Sequence, residues 1–209
     1  MLDIHELDSE LGLGDVGGWK RGVRVLGVSE SFLRSDLKSN VAGVVMRGDM
    51  RIDGVGFCEP TVGGTDATDQ LILMFNRLAR GDIRAWMLGG CIISWFNTVN
   101  SVRLFEATGV PVVCVSYNPS EGIEKYLREY FPNSWQERVS QMDRGGPREQ
   151  VLLKTGHEVF VATAGLTTKK AHRLVDQFTL DGRIPEPIRV ARILASALKR
   201  DFSLVSERT

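Results

Sequence analysis

Val23-Arg24-Val25-Leu26-Gly27-Val28, followed by Val41-Ala42-Gly43-Val44-Val45-Met46 and then Arg51-Ile52-Asp53-Gly54-Val55-Gly56-Phe57, is the stretch that decides the fold. The first run alternates and then becomes continuously apolar and β-branched, as a central strand does. A polar stretch from Arg34 to Asn40 separates it from the second run, and Arg47-Gly48-Asp49 supplies turn chemistry before the third. Three strands joined in a hairpin-connected row are therefore expected.

Beyond Phe57 the period changes. Thr65 or Asp66 can cap a helix whose apolar positions Leu71, Leu73, Met74, Phe75 and Leu78 keep helical spacing, with Gly81 as its stop. A strand from Ile83 to Leu88, a helical segment from about Trp95 to Thr108 and a strand from Val110 to Val115 follow. Pro119-Ser120-Glu121 opens a helix that runs to about Tyr130. Residues 136–156 show no clean period and contain the breaker Gly145-Gly146-Pro147, which predicts a surface excursion. A strand over Glu158 to Ala162, a helix from Thr167 to about Phe178 and a last helix from Glu186 or Pro187 complete the pattern. An antiparallel three-strand meander followed by parallel crossover strands makes an α/β mixed sheet with helices on both faces. That order is the ribonuclease-H-like arrangement, although other mixed-sheet α/β folds share it.

With 209 residues and 43% apolar content, one domain over residues 1–209 is expected, with residues 1–20 as a peripheral N-terminal segment. The 26 basic and 26 acidic residues cancel, so any contact with a polyanion must come from a local patch. The opening Met1-Leu2-Asp3-Ile4-His5-Glu6 is acidic where an export signal is basic, and no apolar run approaches the roughly 20 residues of a membrane span. A cytoplasmic protein is expected, with no membrane contact and no nucleotide-cofactor motif. Cys58, Cys91 and Cys114, an odd count without a CxxC pair, predict reduced, buried thiols.

Arg183-Ile184-Pro185-Glu186-Pro187-Ile188-Arg189-Val190-Ala191 resembles the sequence that closes endonuclease V, and Gly109-Val110-Pro111-Val112-Val113-Cys114-Val115 resembles a strand entry of that family. Val45-Met46-Arg47-Gly48-Asp49, Ile52-Asp53-Gly54-Val55, Val62-Gly63-Gly64-Thr65-Asp66-Ala67-Thr68-Asp69 and Gly122-Ile123-Glu124 resemble an archaeal family known as domain of unknown function ninety-nine, which is regarded as endonuclease-V-like. The resemblance covers nearly all of residues 20 to 200.

It implies a nuclease that uses Mg²⁺ or Mn²⁺ held by carboxylates to cut near deaminated adenine, since a hard cation takes oxygen ligands and generates a hydroxide-like nucleophile. The residues depart from that pattern. Ser29 stands where the metal-binding aspartate belongs and Glu30 one residue on; Asp69 matches the helix-opening glutamate. Leu88 replaces the third carboxylate, Tyr117 the catalytic lysine and Gly165 the histidine. Glu59-Pro60-Thr61-Val62-Gly63 corresponds to the duplex wedge without its tyrosine.

A relocated acidic site can be drawn from Glu30, Asp66 and Asp69, with Asp49 or Asp53 as further candidates. The competing reading makes Asp66 a helix cap, Asp69 a partner of the helix dipole and Glu30 a solvated side chain. Gly63 and Gly64 lead into a helix and can present bare N–H groups to a phosphate, and Gly89 and Gly90 mark a close-approach point at a strand's carboxyl end, with Ser94, Asn97 and Asn100 nearby. His5 lies in the N-terminal tail, and His157 and His172 fall on different elements with no carboxylate at metal-ligand spacing, so none is expected as a ligand. Lys169, Lys170 and Arg173 with Arg183, Arg189 and Arg192 make the C-terminal region locally basic, either a phosphate-contacting surface or a solvated helix face. Two functions follow as expectations: a divergent metal-dependent endonuclease acting on DNA or RNA, or a non-catalytic module on the same fold that binds nucleic acid or protein. No oligomeric state is implied.

Overall fold

Alternation along β1 (Arg24–Ser31) divides the molecule into two cores. Val25 faces one, Leu26 and Val28 the other, as the two-residue period of a strand requires. The computed structural model describes residues 19–119, 122–143 and 147–206, with the side chains of 141–143 and 201–206 not described. His5, Ser120-Glu121 and Gly145-Gly146 thus lie outside the described residues.

β1 pairs antiparallel with β2 (Asn40–Arg47), which pairs antiparallel with β3 (Ile52–Cys58). This is the expected meander. α1 (Ala67–Leu78) then crosses to β4 (Ile83–Leu88), parallel to β1, and α2 (Ser101–Thr108) crosses to β7 (Val112–Ser116), parallel to β4. Between β4 and α2 lies a small hairpin, β5 (Ile92–Ile93) with β6 (Asn97–Thr98), where a continuous helix from Trp95 was expected. Asn100 ends that hairpin by capping α2, its side chain accepting Arg103 N–H.

After β7 come α3 (Glu124–Tyr130) and α4 (Trp135–Asp143), then the hairpin β8 (Glu149–Leu152) and β9 (Glu158–Ala164). The predicted surface excursion without a clean period contains a helix and an edge strand. β9 runs antiparallel to β7 rather than parallel, because it is the return limb of a hairpin and not of a crossover. The sheet order is β3-β2-β1-β4-β7-β9-β8. α5 (Thr168–Phe178) and α6 (Glu186–Ser206) complete the chain.

The two faces are filled as expected for a mixed sheet under helices. Leu71 and Met74 of α1 and Leu104 of α2 pack on Leu26, Val28 and Trp86; Leu174 and Phe178 of α5 and Ile188, Ala191 and Ala195 of α6 pack on Val25, Met87 and Val113. α6 enters the sheet at Gly27, where an added Cβ would lie 2.3 Å from Pro187 Cβ. The glycine of the first strand and the Pro-Glu-Pro of the last helix are thus two halves of one contact.

Three reduced thiols were expected; instead Cys91 and Cys114 form a disulfide with Cα atoms 5.8 Å apart. The chain leaving β4 at Gly89-Gly90 passes beside β7, which brings together two cysteines separated by 23 positions. Cys58 is free and buried, and desolvation pushes its thiol up to about 12.

Candidate functional site

The parallel pairing of β1 with β4 ends at Val28 and Leu88, and the chain beyond that point on both strands converges with the opening of α1. Alternation places Glu30 on the same face as Leu26 and Val28, the α1 side. There Glu30 Oε2 accepts Ser94 Oγ at 2.9 Å, Ser39 Oγ at 3.3 Å and the Ser94 N–H. The reading of Glu30 as simply solvated is overturned. Burial raises its pKa above the usual carboxylate value, opposed only in part by the Ser94 and Ser39 hydrogen bonds.

Asp66 sits at the first position before α1 but does not cap it with its side chain. Its carboxylate instead accepts Thr61 N–H at 3.0 Å, Thr61 Oγ1 at 2.8 Å and Asn97 Nδ2 at 2.7 Å. The cap comes from Asn97, whose Oδ1 accepts Ala67 N–H at 3.0 Å. Burial works against ionisation of Asp66, yet the Asn97 and Thr61 hydrogen bonds outweigh it and hold the carboxyl below its ordinary value. Lys38 Nζ adds a cation 3.7 Å away.

Glu30 and Asp66 are thus tied to one short segment, Ser94 to Asn97. Ser94, Trp95 and Phe96 all have positive φ, at 48°, 55° and 64°. Three consecutive left-handed residues without a glycine cost of order 1–3 kcal/mol each and persist only where the surroundings over-determine them. Here Glu30 holds Ser94, Gly63 N–H donates to Ser94 O at 2.7 Å, and Arg138 Nη1 donates to Phe96 O at 2.9 Å.

Arg138, on α4, was missed from sequence. It is 5% exposed, donates also to Gly63 O and Gly64 O, and lies 3.9 Å from the Phe131 ring centroid. Its only signal was an arginine, one of three, in a segment without period. A planar guanidinium with five donors suits a cluster of carbonyls that a lysine could not span.

The glycine pairs do not form a phosphate cradle. Gly63 N–H is spent on Ser94 O and Gly64 N–H on Thr61 O at 3.0 Å, while Trp95 and Phe131 cover Gly63. Gly89 N–H donates to Val28 O at 3.2 Å, and a Cβ there would press on Ile188 of α6. Gly90, at φ 104°, serves the turn into β5. Gly63, Gly64 and Gly89 permit close packing rather than ligand approach.

Asp69, exposed on the first turn of α1, pairs with Arg103 of α2. Asp49 and Asp53 lie at the opposite end of β1 and are spent on Arg47 and Arg24. Among the described residues no group of three His, Cys, Asp or Glu side chains is placed to hold a metal ion. Glu30, Asp66 and Asp69 therefore do not form a ready three-carboxylate centre, since the first two are occupied by donors and the third by a guanidinium. Tyr117, just past the end of β7, has a buried hydroxyl without a partner among the described residues, and burial pushes it up to about 12. Arg183 donates to Tyr117 O at 3.0 Å and Arg148 to Asn118 O at 2.8 Å, giving that strand end a basic rim. A groove of about 500 Å³ between β3 and α1 carries two more cations, Lys38 and Arg77, beside Phe57 and Glu59.

Residues 21–199 match the endonuclease dU family. A UPF0215 protein of Pyrobaculum calidifontis is 33% identical over 179 residues, covering 85% of this chain and 98% of that protein. A protein of unknown function from Archaeoglobus fulgidus has a similar structure, with a TM-score of 0.74 at 31% identity over 84% of this chain and 98% of that one. Endonuclease V of Ciona intestinalis, solved with a 24mer DNA containing an inosine, shares the fold with a TM-score of 0.60 at 15% identity over 94% of both chains. The sheet is thus a ribonuclease-H-like one. Among the described residues no helix is long and apolar enough to cross a membrane.

Proposed function

The chain belongs to the endonuclease dU family, an archaeal endonuclease-V-like group, and on that basis we propose that it cuts a nucleic-acid strand at or beside a deaminated base. The reaction centre in this reading is the pair Glu30 and Asp66. The observation that carries it is their opposite proton affinity, Glu30 raised and Asp66 lowered, within one network built on the strained Ser94–Phe96 turn. Two carboxyl groups pushed apart in this way are the usual signature of divided acid and base roles. Glu30, holding its proton to higher pH, is suited to protonate the oxygen that leaves phosphorus; Asp66, kept ionised, is suited to orient the attacking water.

Mg²⁺ or Mn²⁺, which the resemblance to endonuclease V implies, does not fit these carboxylates as they stand. Asp69 is the candidate that exchanges most cheaply, because an exposed ion pair such as that with Arg103 contributes only about 0–1 kcal/mol. Nicking of labelled single strands carrying one deoxyuridine, one deoxyinosine or neither, with Mg²⁺, with Mn²⁺ and with chelator, tests the reading. Cleavage confined to the modified strands and lost in Glu30→Gln is expected. Undiminished cleavage by Glu30→Gln sinks the Glu30 centre, and undiminished metal-dependent cleavage by Asp69→Ala removes Asp69 as a metal ligand.

A second reading, a binder that no longer cuts, draws on the same saturation of the carboxylates by protein donors. It predicts salt-sensitive binding without nicking under every metal condition.

A further inference from the structure

Directly beside the carboxylates, the strained turn presents Trp95 and Phe96 to the end of α3. Trp95 lies 5.6 Å from Tyr130 and 5.3 Å from Phe131 between ring centroids, and Phe96 stacks on Tyr130 at 6.0 Å. None of these four aromatics belongs to either core. Tyr130 is 39% exposed. Cations are interleaved with the rings: Arg34 lies 5.6 Å over Trp95 and 5.7 Å over Tyr130, and Arg128 lies 4.2 Å over Trp135. Exposed aromatic faces set among arginines are how single strands are held without reading sequence, each stacked base contributing about 1–3 kcal/mol.

Two observations point to something that completes this cluster. Trp95 Nε1 is buried without a hydrogen-bond acceptor among the described residues, an orphaned donor that costs about 1–3 kcal/mol. The Arg34 guanidinium, itself on an exposed residue, rests over both rings at once. The two rings are tilted 58° to each other, so a flat unpaired base in the place of the guanidinium stacks on one of them, the exposed Tyr130, and turns its edge, with its ring carbonyls as acceptors, toward Trp95.

We propose that Tyr130, now covered by Arg34, is the stacking face for one unpaired nucleobase of a bound strand, with Trp95 as the wall that meets the edge of the base and Arg34 swinging out to the adjacent phosphate. This rests on the nucleic-acid reading of the preceding subsection and adds to it where the strand is gripped. Gly63, whose absent side chain lets Trp95 and Phe131 close over the loop that carries Asp66, places that grip next to the reaction centre. A base held there anchors the strand without itself being the base that is cut.

The test uses the full chain and a labelled single strand of about a dozen nucleotides with 2-aminopurine at its centre, followed by anisotropy for affinity and by 2-aminopurine quenching for stacking. The wild-type protein is expected to bind and quench; Tyr130→Ala and Arg34→Ala each weaken binding roughly tenfold, and Tyr130→Ala loses the quench. Trp95→Phe, which keeps a ring but no N–H, retains the quench and binds less well than wild type. Thermal melting confirms that Tyr130→Ala, altered at the surface, still folds. Wild-type affinity and quenching in Tyr130→Ala, with nicking or salt-sensitive binding intact, overturns the stacking site and leaves the proposed function standing. Failure of the wild-type protein to bind any strand overturns both. Competition by a mononucleotide as effective as the strand assigns the site to free nucleotides, and competition by an arginine-rich peptide assigns it to a protein; either overturns the proposal.

Discussion

Asn97 holds Asp66 and caps the helix that Asp66 precedes: its Nδ2 donates to Asp66 Oδ1 at 2.7 Å and its Oδ1 accepts Ala67 N–H at 3.0 Å. The side chain is fully buried and also donates to Thr61 O at 2.9 Å. One amide from the β5–β6 hairpin thus fixes both the start of α1 and the carboxylate beside it. Asn97→Ala strands three buried or half-buried partners, so a loss of about 2–3 kcal/mol is expected. In a chain of this size that lowers Tm by roughly 5–10 °C. Thermal unfolding checks it, and a change below the error of the melt would show that the amide is not needed there.

Glu30 makes stability depend on pH in a defined sense. Its folded pKa is raised above the ordinary value of 4.5 by desolvation, so the native state binds the proton more tightly than the unfolded chain. The contribution is full below about 4.5 and is lost as pH rises through the folded pKa. Urea unfolding of wild type and Glu30→Gln from acid to neutral pH should show wild type losing ground to the variant across that interval. Parallel curves would mean that Glu30 is not buried as described.

The cysteines offer a count. With Cys91 joined to Cys114 and Cys58 free, the denatured protein should yield one reactive thiol before reduction and three after it. The 23-residue separation corresponds to about 3 kcal/mol in the chain-entropy view. Reductant should therefore lower the Tm of wild type and leave that of Cys91→Ser unchanged. Three thiols without reductant would restore the expectation drawn from the odd cysteine count.

Gly27→Ala would drive a Cβ into Pro187 at 2.3 Å, with the Pro187 carbonyl carbon at 2.4 Å, both on a helix entry that cannot withdraw without unseating α6. A loss of about 1–3 kcal/mol or more is expected. Gly81→Ala meets nothing within 4 Å and should be neutral or slightly stabilising. Chemical denaturation of the two side by side reads the contrast, and equal stability would remove the Gly27–Pro187 contact as the reason for the glycine.

The meander, the first crossover helix and the long closing helix were legible because their apolar spacing is local. Val25, Leu26 and Val28 alternate between two cores, and Leu71 and Met74 keep one helical face, so period alone reports them. The β5–β6 hairpin was not legible. Its turn, Ser94-Trp95-Phe96, contains no glycine, asparagine or proline to announce positive φ, and its conformation is held from outside by Glu30, Gly63 and Arg138. Helical spacing from Trp95 onward therefore read as one helix.

The same division runs through the candidate site. Pattern along the chain implied a mixed α/β sheet, since strand order and helix openings are encoded in neighbours; the resemblance of Arg183 to Ala191 and of Gly109 to Val115 to endonuclease V implied the specific fold, and matching to that family brought forward Glu30 and Asp69, with Asp66 beside them. Which carboxylates share a network was decided only in three dimensions: Asn97, 31 positions from Asp66, and Ser94, 64 from Glu30, supply the donors, while Arg103 claims Asp69. Hydrogen bonds and desolvation act over a few ångströms of space regardless of separation along the chain, so the sequence names the groups that can ionise and the tertiary structure sets which of them do.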